Sequence, residues 1–255
     1  MAPVGKYFHP GMTKRNLKLF ALTLACLTQP ILSMGLDSKT QSLVEIPRSW
    51  EQASSNDDIY YRNKLEYSQE LGVLPFNIPF VFDIFVGDDY SQKPLHYTLV
   101  PIFTSLRWHM GNINGPSVLR GNTDLTTTLS FTAIPRGAET RYGAFDLGVR
   151  RNFVHRNWRS APYFEARGGA GFIDAQGPHG VRWGQGQDFT FTIMLGSGVR
   201  YNFNPRYSIA LGASYMHVSN AYLSFPKYDD NGINVFGPMV GFNMRLGKPK
   251  QKSEK

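Results

Sequence analysis

The stretch Phe189-Thr190-Phe191-Thr192-Ile193-Met194-Leu195-Gly196-Ser197-Gly198-Val199-Arg200-Tyr201-Asn202-Phe203 decides the fold. One parity holds Phe189, Phe191, Ile193, Leu195, Ser197, Val199, Tyr201 and Phe203; the other holds Thr190, Thr192, Met194, Gly196, Gly198, Arg200 and Asn202. Successive side chains of a strand point to opposite faces, so this is one long extended segment with a bulky apolar face and a small or charged one. Its neighbours repeat the pattern. Phe145, Leu147 and Val149 oppose Ala144, Asp146, Gly148 and Arg150, while Phe164, Ala166, Ala170 and Phe172 oppose Glu165 and Arg167.

In a soluble sandwich or lipid-carrying barrel the bulky apolar face fills the interior and the charged face meets water. In an outer-membrane barrel the relation is inverted: lipid touches the apolar face, and small and charged residues fill a narrow lumen. The charged face here is poor in Lys and rich in Gly, Ser, Thr and Arg, unlike an ordinary solvated surface. Segments of roughly a dozen residues also exceed the usual five or six and suit a tilted span. The pattern predicts an all-β, eight-stranded antiparallel transmembrane β-barrel over residues 61–247. Its strands fall near 61–74, 96–109, 123–134, 142–153, 161–173, 188–203, 206–219 and 232–247. Trp108, Tyr163, Tyr201, Phe203, Tyr207 and Tyr215 lie near segment ends, where aromatic girdles sit. Pro75, Pro79, Phe80, Phe82 and Phe85 sort onto neither face, and they suit an added strand, a plug or a surface-lying segment.

The 255 residues carry 42% apolar and 14% aromatic side chains, too many for a disordered chain, and a net charge of +8. Most of that charge is terminal. Lys6, Lys14, Arg15 and Lys18 meet no acid within residues 1–35, and Lys248, Lys250, Lys252 and Lys255 face only Glu254, which leaves about +1 for everything between. No basic face follows, and nucleic acid is excluded as a partner. The single cysteine, Cys26, supports neither an intrachain disulfide nor a cysteine metal cluster. Residues 1–35 read as a signal peptide: basic residues, an apolar run over 17–27, then Ser33 and Gly35 at a small-residue cleavage site. Met12 makes a suitable alternative start. The apolar run is short for a single membrane anchor, and Thr23, Leu24 and Ala25 lack the leucine that normally stands three positions before a lipidated cysteine. Residues 36–60 form an irregular N-terminal segment, and residues 248–255 a basic periplasmic tail.

The chemistry concentrates between residues 206 and 234. Tyr207, Ile209, Leu211, Ala213, Tyr215, His217 and Ser219 share one parity, so His217 and Ser219 continue a lipid-facing row with their side chains on the same side. In the next strand Asn234, Phe236, Pro238, Val240, Phe242, Met244 and Leu246 form the apolar face. Asn234 thereby stands on the outward surface near the same barrel end. A base, a hydroxyl and a third polar residue converge at the rim of an apolar surface, although polar residues at a membrane interface are common in themselves. His96, His109, His155 and His179 have no metal-ligand spacing and read as interface or loop residues; no metal and no cofactor is expected.

The run His217-Val218-Ser219-Asn220-Ala221, followed by Leu223, Pro226 and Asn231-Gly232-Ile233-Asn234, resembles the His-x-Ser-Asn-Ala signature of the outer-membrane lipid A 3-O-deacylases (PagL-like). Pro162-Tyr163-Phe164-Glu165-Ala166 with Gly169-Ala170-Gly171, and Gly196-Ser197-Gly198-Val199-Arg200-Tyr201, are similar to the two strands before that signature, so the likeness runs over about 119–246. The resemblance implies a serine esterase of the bacterial outer membrane that opens on the barrel exterior and removes the ester-linked 3-position acyl chain from lipid A. Its partners would be lipid A or lipopolysaccharide and outer-membrane lipids; a homodimer is left open. Ser219 would be the nucleophile, His217 the general base and Asn220 an oxyanion donor. The acidic triad member of the best-known deacylases is a glutamate, and here Asn234 stands in its place. An asparagine carbonyl can hold the imidazole tautomer but offers no charge to an imidazolium. Asp229 and Asp230 are candidate substitutes that also suit a solvated turn, and Tyr222 puts bulk where the family can have glycine. The competing reading is a non-catalytic small outer-membrane barrel of structural or adhesive role.

Overall fold

Leu65 pairs with Leu246, and the sheet that begins at one closes on the other. In the computed structural model, which describes residues 56–80, 96–155, 158–175, 184–224 and 232–247, the strands are β1 (Leu65–Gly72), β2 (Phe76–Asn77), β3 (Thr98–His109), β4 (Gly121–Arg136), β5 (Arg141–Phe153), β6 (Ser160–Ile173), β7 (Phe189–Asn202), β8 (Tyr207–Ser219) and β9 (Ile233–Leu246). Each of β3 to β9 pairs antiparallel with the next, and β1 joins β3 to β9. The result is a closed eight-stranded barrel, because β1 and β2 lie in line along β9. Closure removes the unpaired edges that an open sheet would present to lipid.

Between β1 and β2 the register slips by one residue: Gly72 faces Met239, but Phe76 faces Phe236. Leu74, inside this bulge, turns inward and bridges Leu99. Pro75 contributes no N–H to a ladder, which makes the interruption cheap at this point. Past the bulge Phe76 lies on the outward face.

The inverted arrangement of faces holds. Phe145, Leu147, Val149, Phe164, Val199 and Leu211 are exposed outside, whereas Arg107, Arg150, Asp124 and Thr190 are fully buried within. The middle of the lumen is a five-membered ionic layer. Glu70 accepts hydrogen bonds from Arg107 (2.7 Å), Arg150 (2.9 Å) and Arg167, and Glu165 accepts from Arg150 (2.9 Å) and Arg167. Toward the chain termini Glu66 receives a two-pronged bond from Arg200, 2.7 Å at each oxygen, beside Lys64.

Apolar clusters stand beyond these layers. Near the termini a helical turn, α1 (Asn56–Ile59), brings Ile59 and Tyr60 against Val154, Ala161 and Ile113. The end of the segment read as irregular is therefore folded, and strand structure starts at Leu65 rather than at residue 61. Burial pushes the Tyr60 phenol above its ordinary pKa. At the opposite end Leu74, Tyr97, Leu99, Met194, Met216 and Val218 pack together among other buried side chains, so the inner face is apolar there rather than small or charged.

Two further expectations are corrected. Tyr163 faces the lumen, with the Arg150 guanidinium 4.0 Å from its ring centre, because its parity matches Glu165 and Arg167. His109 is a lumen residue, fully buried between Glu66 and Asp124 at 3.3 Å from each. His155 does sit in a connection, 4.7 Å from the Trp158 ring. The leader, the basic tail, Phe82, Phe85, His179, Asp229 and Asp230 lie outside the described residues.

Candidate active site

The pairing of β7, β8 and β9 assembles a polar chain on the outer surface, at the barrel end opposite the paired termini. On β8, His217 lies between Ile193 of β7 and Asn234 of β9, and Ser219 lies beside Phe191. The antiparallel register fixes this, since residues directly opposite on one face bring their Cβ atoms to roughly 5 Å.

His217 Nε2 is 2.9 Å from Ser219 Oγ, and His217 Nδ1 is 2.8 Å from Asn234 Oδ1. Asn234 is held in one orientation: its Nδ2 donates to the Gly232 carbonyl at 2.9 Å, and its Oδ1 accepts the Tyr215 hydroxyl proton at 2.6 Å. Reversing the amide would set a carbonyl oxygen against the Gly232 oxygen. With Oδ1 toward the imidazole, Nδ1 carries the proton and Nε2 presents its lone pair to the serine. That is the tautomer a general base requires. Gly232 also makes room for the ring, since a Cβ there would lie 2.5 Å from His217 Cε1.

Three of the residues singled out in the sequence thus come together by direct contact. Asn220 takes a different position: it is fully buried, and its Nδ2 donates to Ser224 Oγ at 2.6 Å. Its carbonyl accepts from Leu223 N at 3.1 Å, closing a turn in which Ala221 (φ 51°) and Tyr222 (φ 62°) are both left-handed. Such a turn favours Asn and Gly, so Ala and Tyr in it hold local strain beside the serine.

Two contributors were missed in the sequence. The sequence places Tyr215 among the girdle aromatics, whereas in the structure it is 4% exposed and bonded to Asn234. The available signal was its place on the His217 row, two residues earlier. Phe80 lies against the His217 ring, with centroids 4.3 Å apart and planes at 33°. Nothing local to the run around Phe80 pointed there, because the bulge before it sets its face.

Among solved structures, similar folds include the outer membrane enzyme PagL (14% identity, 71% of this chain and 99% of that one, TM-score 0.43). Others are the N-terminal β-barrel domain of Pseudomonas aeruginosa OprF (15%, 72% and 98%, 0.39) and Neisserial surface protein A (10%, 72% and 97%, 0.41). No curated protein matches the sequence. The model of the family described as lipid A 3-O-deacylase (PagL) matches residues 102–243. That span is more than half of the chain and holds the whole His217, Ser219 and Asn234 arrangement, and the chain belongs to the lipid A 3-O-deacylase (PagL) family.

Proposed function

We propose that the protein is a serine esterase that removes the ester-linked 3-position acyl chain from lipid A. The observation that carries this reading is the direction of the hydrogen-bonded chain Ser219, His217, Asn234: it faces the bilayer, where acyl chains lie, and not the lumen.

In this reading Ser219 Oγ attacks the ester carbonyl as His217 Nε2 takes its proton. The tetrahedral intermediate then expels the sugar hydroxyl, which receives the proton from His217. Water repeats the cycle on the acyl-serine and releases the fatty acid. Asn234 keeps the proton on Nδ1, and Tyr215 polarises and fixes the Asn234 oxygen. The oxyanion falls to backbone N–H groups of the turn that follows Ser219, because the Asn220 side chain is fully buried and its amide donates to Ser224. Asn234 supplies orientation without charge, so the imidazolium formed in each half-reaction is stabilised less than beside a carboxylate. A slow enzyme is the consequence.

The test is release of fatty acid from lipid A by the purified barrel in detergent. Release by the wild type and none by Ser219→Ala supports the reading; no release by either the wild type or Asn234→Glu leaves a barrel without this chemistry.

A further inference from the structure

A histidine ring moves by rotation about χ1 and χ2, and two hydrogen bonds, each tolerant of angular deviation, limit that swing only loosely. A surface laid against the ring face limits it further, and Phe80 provides one, 4.3 Å away between centroids and tilted by 33°.

How Phe80 gets there follows from the register. After the bulge, Phe76 pairs with Phe236, and Ile78 N donates to the Asn234 carbonyl at 3.2 Å. Continuing in this register brings residue 80 opposite Gly232, on the outward face. Gly232 has no side chain, so the Phe80 ring and the His217 ring meet across it. Asn77 anchors the segment from the other side, accepting from Tyr97 N at 2.8 Å and donating to the Tyr97 carbonyl at 2.9 Å. Without the extra residue in the bulge, Phe80 would fall on the opposite parity and point inward. The segment lies outside the residues 102–243 that match the family, so the family signature does not account for it.

We propose that Phe80 is a positioning residue for the His217 and Ser219 pair: its ring packs on the imidazole face and keeps Nε2 aimed at the serine hydroxyl. The proposal rests on the esterase reading for its role in lipid A cleavage, but the packing acts on the base itself and so extends to any electrophile that reaches Ser219. In this role Phe80 acts through His217, the ring it packs against.

The experiment compares wild type, Phe80→Ala, Phe80→Leu and Phe80→Trp in detergent micelles by two readouts. The first is kcat and KM on lipid A; the second is the rate at which a small fluorophosphonate labels Ser219, with Ser219→Ala as blank. Phe80→Leu keeps apolar bulk and removes the flat ring, whereas Phe80→Trp keeps a flat ring. The expected result is a fall of roughly ten- to a hundredfold in labelling rate and in kcat for the Ala and Leu variants, with KM little changed and Trp restoring both. The labelling rate decides. Labelling equally fast in all four overturns the proposal, even if lipid A turnover falls, since Phe80 would then act on the substrate. Phe80-dependent labelling with no lipid A cleavage by the wild type would keep the positioning role and reject the deacylase reading. A wild type that neither labels nor cleaves overturns both.

Discussion

Asn234→Glu asks how much the missing charge matters. Asn234 Oδ1 lies 2.8 Å from His217 Nδ1, so a carboxylate there would sit about 4 Å from the centre of an imidazolium. At an effective dielectric of 20, suited to a partly exposed pair, the attraction is about 4 kcal/mol. Part of it is lost. The asparagine Nδ2 now donates to the Gly232 carbonyl at 2.9 Å, and a carboxylate puts a second acceptor there, which costs about 1 to 3 kcal/mol. A net gain of about 1 to 3 kcal/mol corresponds to roughly five- to a hundred-and-fiftyfold in rate. Tyr215 should keep donating to the new carboxylate, as it does to Oδ1. Asn234→Asp, isosteric with the asparagine, puts its oxygens at the same two places and should gain a comparable amount. Asn234→Ala removes the acceptor for Nδ1 and should lower the rate. Initial rates of fatty acid release from lipid A in micelles, with folding checked by heat-dependent gel mobility, provide the assay. An Asn234→Ala variant as fast as the wild type would refute the orienting role, and a folded Asn234→Glu variant slower than the wild type would refute the charge argument.

Other consequences concern the barrel and its rim. Glu70→Gln leaves Arg107, Arg150 and Arg167 with Glu165 as their carboxylate in the mid-lumen layer, and should cost about 3 to 5 kcal/mol in urea unfolding from micelles; a cost below about 1 kcal/mol would contradict the buried network. Leu195→Lys or Phe242→Lys, at mid-strand on the outward face, should cost about 2 to 4 kcal/mol in a bilayer, and Phe203→Lys near the strand end far less; equal tolerance would mean that this face does not meet lipid. Tyr222→Gly should raise stability by about 1 kcal/mol, because glycine adopts the observed φ of 62° without strain, and an unchanged unfolding midpoint would argue against that strain.

The strands were legible because lipid on one side and a packed lumen on the other impose period two along their whole length. The charged parity also told which face was inside. What escaped depended on pairings distant in sequence. Glu70 meets Arg150 and Arg167 across the lumen, and no local pattern names such partners. His109 was misplaced for the same reason, its two carboxylates coming from β1 and β4. Tyr163 is a different case: its parity with Glu165 already pointed inward, and its nearness to a strand end outweighed that signal. In the site, His217 and Ser219 could be joined by strand spacing alone, and Asn234 by the parity of the next strand. Phe80 depends on a one-residue bulge, and a sequence read without its partner strand does not reveal a register slip.

The central claim is that an outward-facing serine cleaves the 3-position acyl ester of lipid A. Mass spectrometry of lipid A from cells producing the wild type or Ser219→Ala, at matched levels of folded barrel, tests it most directly. The account predicts lipid A lighter by one 3-position acyl chain with the wild type, and intact lipid A with Ser219→Ala. Identical spectra from the two strains would contradict it.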